Sequence, residues 1–489
     1  MGLLMQHNYL AIDLGAESGR TMLGTLANEK LILTETYRFP NGPVRLSDGL
    51  HWDVLRLWAE IKTGITATVK SGVKFDSLGV DTWGVDFALL DKNGDLLGNP
   101  YHYRDTRTDG MLDKAFLHMP KEELFAYTGV QFMQINTLYQ LLAMSIQKSP
   151  LFDVAQTFVT IPDLFNYWLS GKITNEFTIA TTTQCFDPKK RDWAKPVLDA
   201  LNIPSHIFGP ITDSGSLIGT LLPNIAEEIG ASTFPVVVPA CHDTGSAVVA
   251  VPTQNQDFAW LSSGTWSIMG AEVRQPSLDE KALQYNFTNE GGVFGTWRLS
   301  KNITGLWLVQ ECRREWNLSY DALTQLAAEA KPFLAVIDPD SDVFLHPGDM
   351  PRKIRTYCAD TNQPVPKTQG EIVRVALESL AIKYRFVLER LEELIGKRLE
   401  PLHIIGGGTR NRLLNQFTAD AIGRSVVTGP VEAAAIGNIL MQAITLGQLD
   451  SLGDARLLVR RSFEIEEYHP RQQDGWEKAY GKLLSASLR

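Results

Sequence analysis

The sequence predicts an α/β fold with two related halves. Short apolar segments of strand length alternate with longer segments whose apolar residues recur at helical spacing, a pattern typical of α/β proteins. An apolar strand, a small polar turn with glycine and a returning strand occur around Gly15 and again around Gly264. The two glycines lie 249 positions apart, about half of the 489 residues, so this similarity indicates two domains of related structure.

The individual elements follow from apolar runs and from the residues that flank them. Asp53 precedes an amphipathic segment and is a typical helix N-cap, whereas Gly396 ends the longest such segment. Apolar runs bounded by turn residues predict strands at 9–14, 21–26, 234–240, 258–262, 266–273, 402–405 and 426–427. Helical spacing predicts helices at 56–69, 371–395, 410–421 and 432–446.

Two further segments have a less regular pattern. Residues 78–90, the turn at Asn93-Gly94 and residues 96–97 predict a β-hairpin, because Asn-Gly is the strongest short hairpin signal. Residues 331–366 contain six prolines and little periodicity, which predicts a long excursion over the surface.

The charge balance and the cysteine content exclude several classes of protein. The 46 basic and 56 acidic residues give a net charge of −10 without a run of like charge, so there is no electrostatic footprint for nucleic acid or an anionic membrane. No apolar run approaches the ~18 residues of a membrane span. The four cysteines form no Cys-x-x-Cys pair, which excludes a thiolate zinc site and fits a reducing cytoplasm. Residues 1–8 lack the basic and apolar regions of a signal peptide, and the expected partner is a small molecule.

The turn at 13–20 is the first candidate ligand site. A glycine turn between two strands exposes successive backbone N–H groups, which can hold phosphate oxygens. Ser18 adds a hydroxyl donor, Arg20 adds a cation, and Asp13 offers a carboxylate for Mg²⁺ or its waters. The segment is not a Walker A loop, because only three residues separate its glycines and arginine replaces the lysine. An ordinary β-turn remains the alternative, and the Glu17 carboxylate must point away from any phosphate.

Two later glycine turns offer the same chemistry. Ser263-Gly264-Thr265 lies between two predicted strands and resembles the first turn. Gly406-Gly407-Gly408 lies between a strand and a helix, where N–H groups at the helix start can bind an anion. The triplet continues as Thr-Arg-Asn and so lacks the G-x-G-x-x-G spacing of a dinucleotide site. An adenine or phosphate pocket and a plain tight turn both remain open.

Asp243 is a candidate general base. It follows the predicted strand at 234–240 and precedes a small-residue helix, and such strand ends are where α/β folds place their sites. Its carboxylate could take a proton from a hydroxyl that attacks phosphorus. Aspartate is also a preferred helix N-cap, worth about 1 kcal/mol, and both interpretations remain.

The segment 81–87 is a candidate sugar pocket. The indole face of Trp83 and two carboxylates could line such a pocket, and Gly84 would let a hydroxyl reach the backbone. The alternative is that Trp83 and Phe87 belong to the core and that Asp86 caps a turn.

The motifs together, in their order along the chain, resemble those of the FGGY carbohydrate kinases. The resemblance rests on Asp13-x-Gly15 followed by Arg20, His242-Asp243-Thr244, Ser263-Gly264-Thr265 and Gly406-Gly407-Gly408. It implies two ribonuclease-H-like domains of the actin and hexokinase type with an interdomain cleft. A domain at 1–247 would bind the sugar and the phosphate, and a domain at 248–489 would bind the nucleotide.

Further segments narrow the resemblance to family members that phosphorylate L-rhamnulose, namely those at 80–87, 103–105, 181–184, 261–267, 288–292, 305–308 and 429–433. This narrower resemblance implies ATP-dependent phosphorylation of the 1-hydroxyl of L-rhamnulose, with Mg²⁺, by a cytoplasmic enzyme of L-rhamnose catabolism. A kinase for another ketose, such as L-fuculose or D-xylulose, is one alternative. An actin-like ATPase without a metabolic role is the other.

The resemblance also implies roles for individual residues. Asp243 would be the general base, and Asp13 would hold Mg²⁺ through a water. Sugar contacts would come from Gly84, His242, Asp243, Thr244 and Asn302. ATP contacts would come from Ala16, Glu17, Ser18, Gly19, Arg20, Thr265, Gln310 and Gly407. Cys241 and Glu17 stand where some family members have serine, so a contact from Glu17 would be made by its backbone N–H.

Overall fold

The computed structural model describes residues 6–471 and 474–487, so the first five residues of the segment 1–8 lie outside the described part. The chain divides into two compact units. Unit 1 comprises Met1–Ala250, Glu272–Leu299 and Ala433–Ser462, and unit 2 comprises Val251–Ala271, Ser300–Glu432 and Phe463–Arg489. Unit 1 thus takes two segments from the second half of the chain. The predicted division of binding roles between 1–247 and 248–489 stays a prediction.

The strands are β1 (His7–Leu14), β2 (Ser18–Ala27), β3 (Lys30–Pro40), β4 (Pro43–Leu46), β5 (Gly49–Trp52), β6 (Ser77–Thr82), β7 (Phe87–Leu90), β8 (Thr157–Thr160), β9 (Phe186–Asp187), β10 (Asp192–Trp193), β11 (Ser216–Thr220), β12 (Pro235–Val238), β13 (Ala259–Ser263), β14 (Trp266–Val273), β15 (Thr288–Gly291), β16 (Trp297–Thr304), β17 (Leu402–Ile405), β18 (Val426–Thr428) and β19 (Glu466–Tyr468). Helices connect the parallel strands β1, β6 and β12 of unit 1 and β13, β17 and β18 of unit 2, which confirms the α/β class.

The helices differ widely in length, from single turns to the long α15. They are α1 (Val54–Lys70), α2 (Met111–His118), α3 (Lys121–Thr128), α4 (Thr137–Ile146), α5 (Leu151–Val154), α6 (Ile161–Ser170), α7 (Phe177–Ala180), α8 (Lys195–Ala200), α9 (Pro223–Ile229), α10 (Asp243–Val249), α11 (Glu280–Gln284), α12 (Trp307–Trp316), α13 (Tyr320–Glu329), α14 (Met350–Asp360), α15 (Gln369–Ile395), α16 (Arg412–Ile422), α17 (Ala433–Thr445), α18 (Leu452–Ser462) and α19 (Asp474–Ser487). Short 3₁₀ helices occur at Thr106–Thr108, Thr181–Thr183, Ser205–Ile207, Asp342–Phe344 and Gly407–Arg410.

The sheet of unit 1 has the strand order β11-β12-β6-β1-β2-β3. β1 pairs antiparallel with β2 and parallel with β6, and β12 pairs parallel with β6. Helix α1 covers this sheet with Leu57, Ile61 and Ile65, which are fully buried and share one helix face. The predicted N-cap is confirmed, because the Asp53 carboxylate accepts a bond from the Arg56 N–H at 3.1 Å.

The strands of unit 2 repeat this arrangement in the order β16-β14-β13-β17-β18-β19. β13 pairs antiparallel with β14 and parallel with β17, and β17 pairs parallel with β18. Both units therefore place a strand–turn–strand beside two parallel strands, as the two glycine turns of the sequence predict. Helix α15 begins at the predicted place with a Thr368 capping box and ends at Gly396, whose φ is 72°.

Helix α17 belongs to unit 1 and packs against β1, β6 and α10. Its polar residues satisfy buried groups of the sheet. The Gln442 side chain donates to the Leu10 carbonyl at 3.1 Å and accepts from the Ser77 hydroxyl at 2.7 Å. Gly437 is the point of closest approach, because a Cβ there would lie 1.7 Å from the Ser246 carbonyl oxygen of α10. The small residues of α17 therefore determine where α10 lies.

The predicted hairpin at 78–97 is wrong in its pairing. The run divides into β6 and β7; β6 pairs with β1 and β12, whereas β7 pairs with β8. Close to the Asn93-Gly94 turn the predicted return does form, because Leu90 bridges with Leu96 and the Leu97 N–H donates to the Leu89 carbonyl at 2.9 Å. The break occurs because Val85 has a φ of 66°, a conformation that no strand accommodates.

The predicted surface excursion at 331–366 is also wrong in part. The segment contains α14, and the apolar residues Ala335, Ile337 and Ile354 are fully buried. Pro351 lies in the first turn of α14, where a backbone N–H has no partner within the helix and proline costs nothing. A proline-rich sequence is thus compatible with a packed helix here.

Within the described residues, no helix is both long enough and apolar enough to cross a bilayer. The four cysteines are unpaired and buried.

Replacing Gly437 by alanine is expected to destabilise unit 1, because the added methyl would overlap the backbone of α10. Overpacking of this kind costs about 1–3 kcal/mol or more, seen as a lower Tm and weaker urea resistance. Gly481→Ala in α19 is the matched control, since a Cβ there meets no described atom within 4 Å; its Tm should stay the same or rise slightly. Equal Tm values for both variants would contradict the close approach.

Candidate functional site

Three acidic residues meet at one edge of the unit 1 sheet. Asp13 of β1 and Asp81 of β6 are register partners on parallel strands. β12 leads into His242 and Asp243, and Thr82 forms a parallel bridge with His242. The carboxyl ends of β1, β6 and β12 thus bring these carboxylates to the position where α/β sheets bind ligands.

Arg20 lies opposite Asp13 on β2 and pairs with it directly. Its Nε and Nη2 atoms donate to the same Asp13 oxygen, Oδ2, at 2.9 and 2.7 Å. Both side chains are largely buried, so the guanidinium offsets one of the negative charges at this edge.

Asp81 is fully buried beside these charges. Asn438 of α17 donates to its Oδ2 at 2.6 Å, while its Oδ1 has no hydrogen-bond partner among the described residues. Burial raises the pKa of Asp81 well above its usual value, and the negative charge of Asp13 raises it further.

Asp243 is the first residue of α10, and the N-cap position belongs to His242. The Asp243 carboxylate accepts from the Thr244 N–H at 2.5 Å and from the Thr244 hydroxyl at 3.2 Å. Its side chain keeps 32 % exposure, so a ligand can reach it. Burial and the nearby charge of Asp13 raise the pKa of Asp243 above the usual value of aspartate, although a charge on His242 would oppose this.

Gly84 opens the backbone next to His242. A Cβ at Gly84 would lie 3.2 Å from the Thr182 hydroxyl and 3.3 Å from His242 Nε2. The next residue, Val85, has a positive φ and lies at the centre of a turn in which the Asp86 N–H donates to the Gly84 carbonyl at 2.9 Å. Such γ-turns are strained for a β-branched residue and persist only where the surroundings hold them.

Two threonines hold the strained turn from opposite sides. The Val85 N–H donates to the Thr182 hydroxyl at 3.2 Å, and the Thr137 hydroxyl donates to the Val85 carbonyl. The orientation of the Gly84 backbone therefore depends on α4 and on the 3₁₀ helix at Thr181–Thr183.

Asp86 organises the aromatic residues beneath this turn. Its Oδ2 accepts from the indole N–H groups of Trp52 at 2.5 Å and Trp83 at 2.9 Å, and its Oδ1 accepts from the Gln140 amide at 2.9 Å. Burial raises the pKa of Asp86 to about 6. Trp83 and Phe87 are buried in the core, which confirms the core interpretation for these two side chains.

In unit 2, the turn at Ser263-Gly264-Thr265 anchors the start of α12. The Gly264 N–H donates to the Trp266 carbonyl at 2.9 Å, and the N–H groups of Leu306 and Trp307 donate to the carbonyls of Gly264 and Thr265 at 2.9 and 3.2 Å. This helix carries Gln310, whose buried Oε1 has no hydrogen-bond partner among the described residues.

The glycine triplet lies against the same turn. A Cβ at Gly408 would lie 2.0 Å from the Ser263 hydroxyl, so only glycine fits there. Gly406 has a φ of 85°. A Cβ at Gly407, in contrast, would meet no described atom within 4 Å. Of the residues expected to contact ATP, Thr265 thus belongs to this turn, Gln310 to the helix that the turn anchors, and Gly407 to the triplet packed against it. Asn302, on β16, is in the same unit.

Two family models cover most of the chain. The model of the N-terminal domain of the FGGY family of carbohydrate kinases matches residues 8–250, and that of the C-terminal domain matches residues 259–446. The chain belongs to the FGGY family of carbohydrate kinases. The resemblance drawn from the four motifs is therefore confirmed, and the protein is a carbohydrate kinase.

Named relatives align with this FGGY kinase over almost its full length. A rhamnulokinase of Bacteroides thetaiotaomicron is 44 % identical over 477 residues, which cover 97 % of this chain and 98 % of the relative. A rhamnulokinase of Oceanobacillus iheyensis is 42 % identical over 466 residues, which cover 95 % of this chain and 98 % of the relative.

Solved structures of other kinases share the two-domain fold. A ligand-bound xylulose kinase from Lactobacillus acidophilus matches with a TM-score of 0.83 at 14 % identity, covering 99 % of this chain and 98 % of that chain. A glycerol kinase from Plasmodium falciparum with ADP matches with a TM-score of 0.79 at 15 % identity and the same coverage. The likeness concerns the fold, and it confirms the predicted two-domain architecture of the FGGY kinases.

Four residues of the site had no role in the predictions from sequence, although two of them, Thr182 and Glu290, lie in segments that carry the narrower resemblance. Thr182, Glu290, Arg298 and Asn438 contact predicted site residues or the neighbouring turn. A weak signal existed for Arg298, because this charged residue stands between the apolar residues Trp297 and Leu299. The roles assigned to individual residues toward ATP and sugar stay predictions, as does the water-mediated Mg²⁺ site at Asp13. The described residues contain no group of three or more His, Cys, Asp or Glu that could hold a metal.

Asp86→Asn is expected to lower the free energy of unfolding of unit 1, because an amide NH₂ would face one of the three donors that now point at the carboxylate. The loss should be about 1–3 kcal/mol, measured by urea unfolding with tryptophan fluorescence. Since burial raises the pKa of Asp86 to about 6, its protonated form favours the folded state, and this contribution is lost as the pH rises through that value. The difference in the free energy of unfolding between the unmodified protein and Asp86→Asn should therefore become smaller as the pH rises from about 4 to about 6. Asp153→Asn, at an exposed site of the same unit, should show neither effect.

Proposed function

We propose that this FGGY kinase transfers the γ-phosphoryl group of ATP to the 1-hydroxyl of L-rhamnulose, giving L-rhamnulose 1-phosphate and ADP. The alignment with rhamnulokinases over nearly the full length carries the choice of sugar. A partly buried carboxylate of raised pKa, at the start of α10 beyond the end of β12, supports the chemistry. We further propose that the enzyme acts in the cytoplasm, in L-rhamnose catabolism.

Asp243 would act as the general base. The hydroxyl of a ketose ionises only far above neutral pH, so its proton must leave as the new O–P bond forms. Asp243 would take this proton while the bond between the γ-phosphorus and the leaving oxygen of ADP breaks. The raised pKa of Asp243 makes it a stronger acceptor than an ordinary aspartate at the same site.

The sugar would be oriented by groups around Asp243. Gly84 leaves the backbone uncovered toward His242, since a Cβ at Gly84 would lie 3.3 Å from His242 Nε2. His242, Thr244 and Asn302 would supply hydrogen bonds to sugar hydroxyls. Because the Thr182 and Thr137 contacts hold the Gly84 turn rigidly, the reacting hydroxyl would be positioned before the chemical step.

ATP would be bound through backbone groups and short polar side chains. The turn at Ala16, Glu17, Ser18, Gly19 and Arg20 would offer N–H groups to the phosphates. Arg20 already gives two hydrogen bonds to Asp13, so its main role would be to hold that carboxylate in place. Thr265, Gln310 and Gly407 would contact the nucleotide from unit 2.

Mg²⁺ fits this site as a partner of ATP. Magnesium in kinases is held by one or two carboxylates together with substrate phosphates and water, so the lack of a larger acidic cluster among the described residues does not count against it. When bound, Mg²⁺ would neutralise charge on the phosphates, and Asp13 would hold one of its waters.

A panel of ketoses tests the substrate. With coupled detection of ADP, L-rhamnulose should exceed L-fuculose and D-xylulose by at least ~10-fold in kcat/KM, which corresponds to about 1.4 kcal/mol of discrimination. A better rate with another ketose would assign the enzyme to that sugar instead. ATP turnover without sugar, accompanied by nucleotide-dependent assembly in light scattering, would favour the actin-like ATPase.

Asp243→Asn should lose roughly 10²–10⁴-fold in kcat, because the amide cannot accept the proton. ATP binding, measured by calorimetry, should be retained. Asp213→Asn is the control, since the Asp213 side chain is 78 % exposed and forms an ion pair with Arg191 at 3.2 Å; its kcat should equal that of the unmodified enzyme. Near-normal turnover of Asp243→Asn would reduce Asp243 to a structural residue of α10.

The pH profile offers an independent check on the base. Since burial and Asp13 raise the pKa of Asp243, activity should fall with decreasing pH at a value above that of an ordinary aspartate. The relevant measurement is kcat/KM for the sugar between neutral pH and the acid limit of folding. A fall in kcat/KM that begins only at the pKa of an ordinary aspartate would contradict the raised pKa of Asp243.

A further inference from the structure

We infer that Arg298 is a positioning residue that keeps Nδ1 of His242 without a proton, so that His242 faces Asp243 as a neutral ring with its N–H on Nε2. This inference rests on the proposed function, in which Asp243 is the base and His242 contacts the sugar. It adds a residue that touches neither substrate and acts only through His242.

The donor chemistry of arginine determines the tautomer. Arg298 Nη2 lies 3.0 Å from His242 Nδ1 in hydrogen-bond geometry. A guanidinium donates and never accepts, so Nδ1 must be the acceptor and carries no proton. A neutral imidazole has one N–H, which is then on Nε2.

Arg298 cannot easily turn away from this contact. Its side chain is 1 % exposed, and its Nε donates to the Gly291 carbonyl at 2.8 Å. Gly291 is itself held, because its N–H donates to the Thr181 hydroxyl at 2.7 Å. The arginine is thus held by β15, and β15 is held in turn by the 3₁₀ helix that also carries Thr182.

The other ring nitrogen faces the reactive groups. His242 Nε2 lies 3.4 Å from Asp243 Oδ1, and a Cβ at Gly84 would lie 3.3 Å from it. An N–H at this position can donate to the carboxylate or to a sugar oxygen, whereas a bare nitrogen would repel the carboxylate. The tautomer therefore decides whether His242 Nε2 can donate a hydrogen bond to Asp243 or to the sugar.

Glu290 makes the presence of Arg298 necessary. Its Oε2 lies 3.3 Å from His242 Nδ1 and 3.1 Å from Arg298 Nη2. Burial alone would raise the pKa of Glu290, but the charge of Arg298 lowers it below its usual value, so Glu290 is ionised. Without the arginine, this carboxylate would attract a proton to Nδ1.

A proton on Nδ1 would weaken the base. The charged groups that face His242 are Asp243 of α10, Glu290 of β15 and Arg298 of β16, and Asp13 of β1 acts on Asp243. An imidazolium between Glu290 and Asp243 would form an ion pair with each of them and lower the pKa of Asp243. By occupying Nδ1 as a donor, Arg298 leaves Asp243 its full strength as a proton acceptor.

The protonation of His242 can be observed directly by NMR. In protein labelled with ¹⁵N-histidine, long-range ¹H–¹⁵N spectra show which ring nitrogen carries a proton, and the His242 signals are identified by their loss in His242→Gln. The unmodified protein should show a bare Nδ1 and a protonated Nε2 at neutral pH. In Arg298→Met, Nδ1 should become protonated. A bare Nδ1 in both proteins would overturn the inference.

Kinetics supply the second readout. Arg298→Met should lower kcat for the sugar by roughly 10-fold or more, leave the KM for ATP unchanged and move the acid limb of the profile to lower pH. Arg298→Lys should stay closer to the unmodified enzyme in both readouts, because lysine is also a donor only. A lysine variant with Nδ1 as fully protonated as in Arg298→Met would refute the donor argument.

Two further variants separate positioning from stability. Arg456→Met removes a buried arginine of unit 1 that pairs with Glu272 at 2.7 Å; it should lower the Tm but leave the His242 spectrum and the pH profile unchanged. If Arg298→Met fails to fold because Glu290 is left unpaired, Arg298→Met/Glu290→Gln removes both charges. His242 should then populate both tautomers, and a single tautomer with bare Nδ1 would overturn the inference.

The NMR experiment needs no sugar, so it also separates the two proposals. If L-rhamnulose proves not to be the substrate, the spectra still decide whether Arg298 controls the tautomer of His242. If the spectra contradict the predicted protonation of His242 while L-rhamnulose is phosphorylated, only the positioning role of Arg298 is refuted.

Discussion

The crowding of negative charge at one edge of the unit 1 sheet is the constraint on which the site depends. Asp13, Asp81 and Asp243 lie at the ends of β1, β6 and after β12, in surroundings that hydrate them poorly. Like charges in such a place raise one another's pKa, and both Asp81 and Asp243 show this effect. The fold tolerates the arrangement because Arg20 neutralises one member and Asn438 donates to another. Burial and this repulsion together raise the pKa of Asp243, which on the proposed function makes it a better proton acceptor.

The repeated topology carries different chemistry in the two units. At the end of β1 unit 1 has an ion pair between Asp13 and Arg20, whereas at the end of β13 unit 2 has the turn Ser263-Gly264-Thr265. Beyond β6 comes the strained turn at Gly84, and beyond β17 comes the glycine triplet at 406–408. Carboxylates would repel the phosphates of a nucleotide, and glycines with backbone N–H groups attract them. On the proposed function, unit 1 thus supplies the general base and the turn for the ATP phosphates, while unit 2 supplies Thr265, Gln310 and Gly407 for the nucleotide.

Sequence reasoning succeeds here where structure is local. Three elements can be predicted from the sequence because neighbouring residues determine each of them. They are the strand–turn–strand around Gly15, the helix capped by Asp53 and the strand β17. The turn at Val85 cannot be predicted in this way, because its conformation depends on Thr137 and Thr182, which are distant in sequence. The contact of Arg298 with His242 is equally remote, and no local pattern reveals which ring nitrogen it meets.

Because α17 belongs to unit 1, that unit cannot complete its fold until late in the synthesis of the chain. A ribosome releases the segment Met1–Ala250 long before Ala433–Thr445 leaves its exit tunnel. Until then Asp81 lacks the Asn438 amide and the Leu10 carbonyl lacks Gln442, so the nascent N-terminal lobe carries buried polar groups without their donors. It can complete its fold only after α17 has been synthesised, when nearly the whole polypeptide has been made. A C-terminal truncation that removes α17 would therefore destabilise the sheet of unit 1, whose strands come from the first half of the chain.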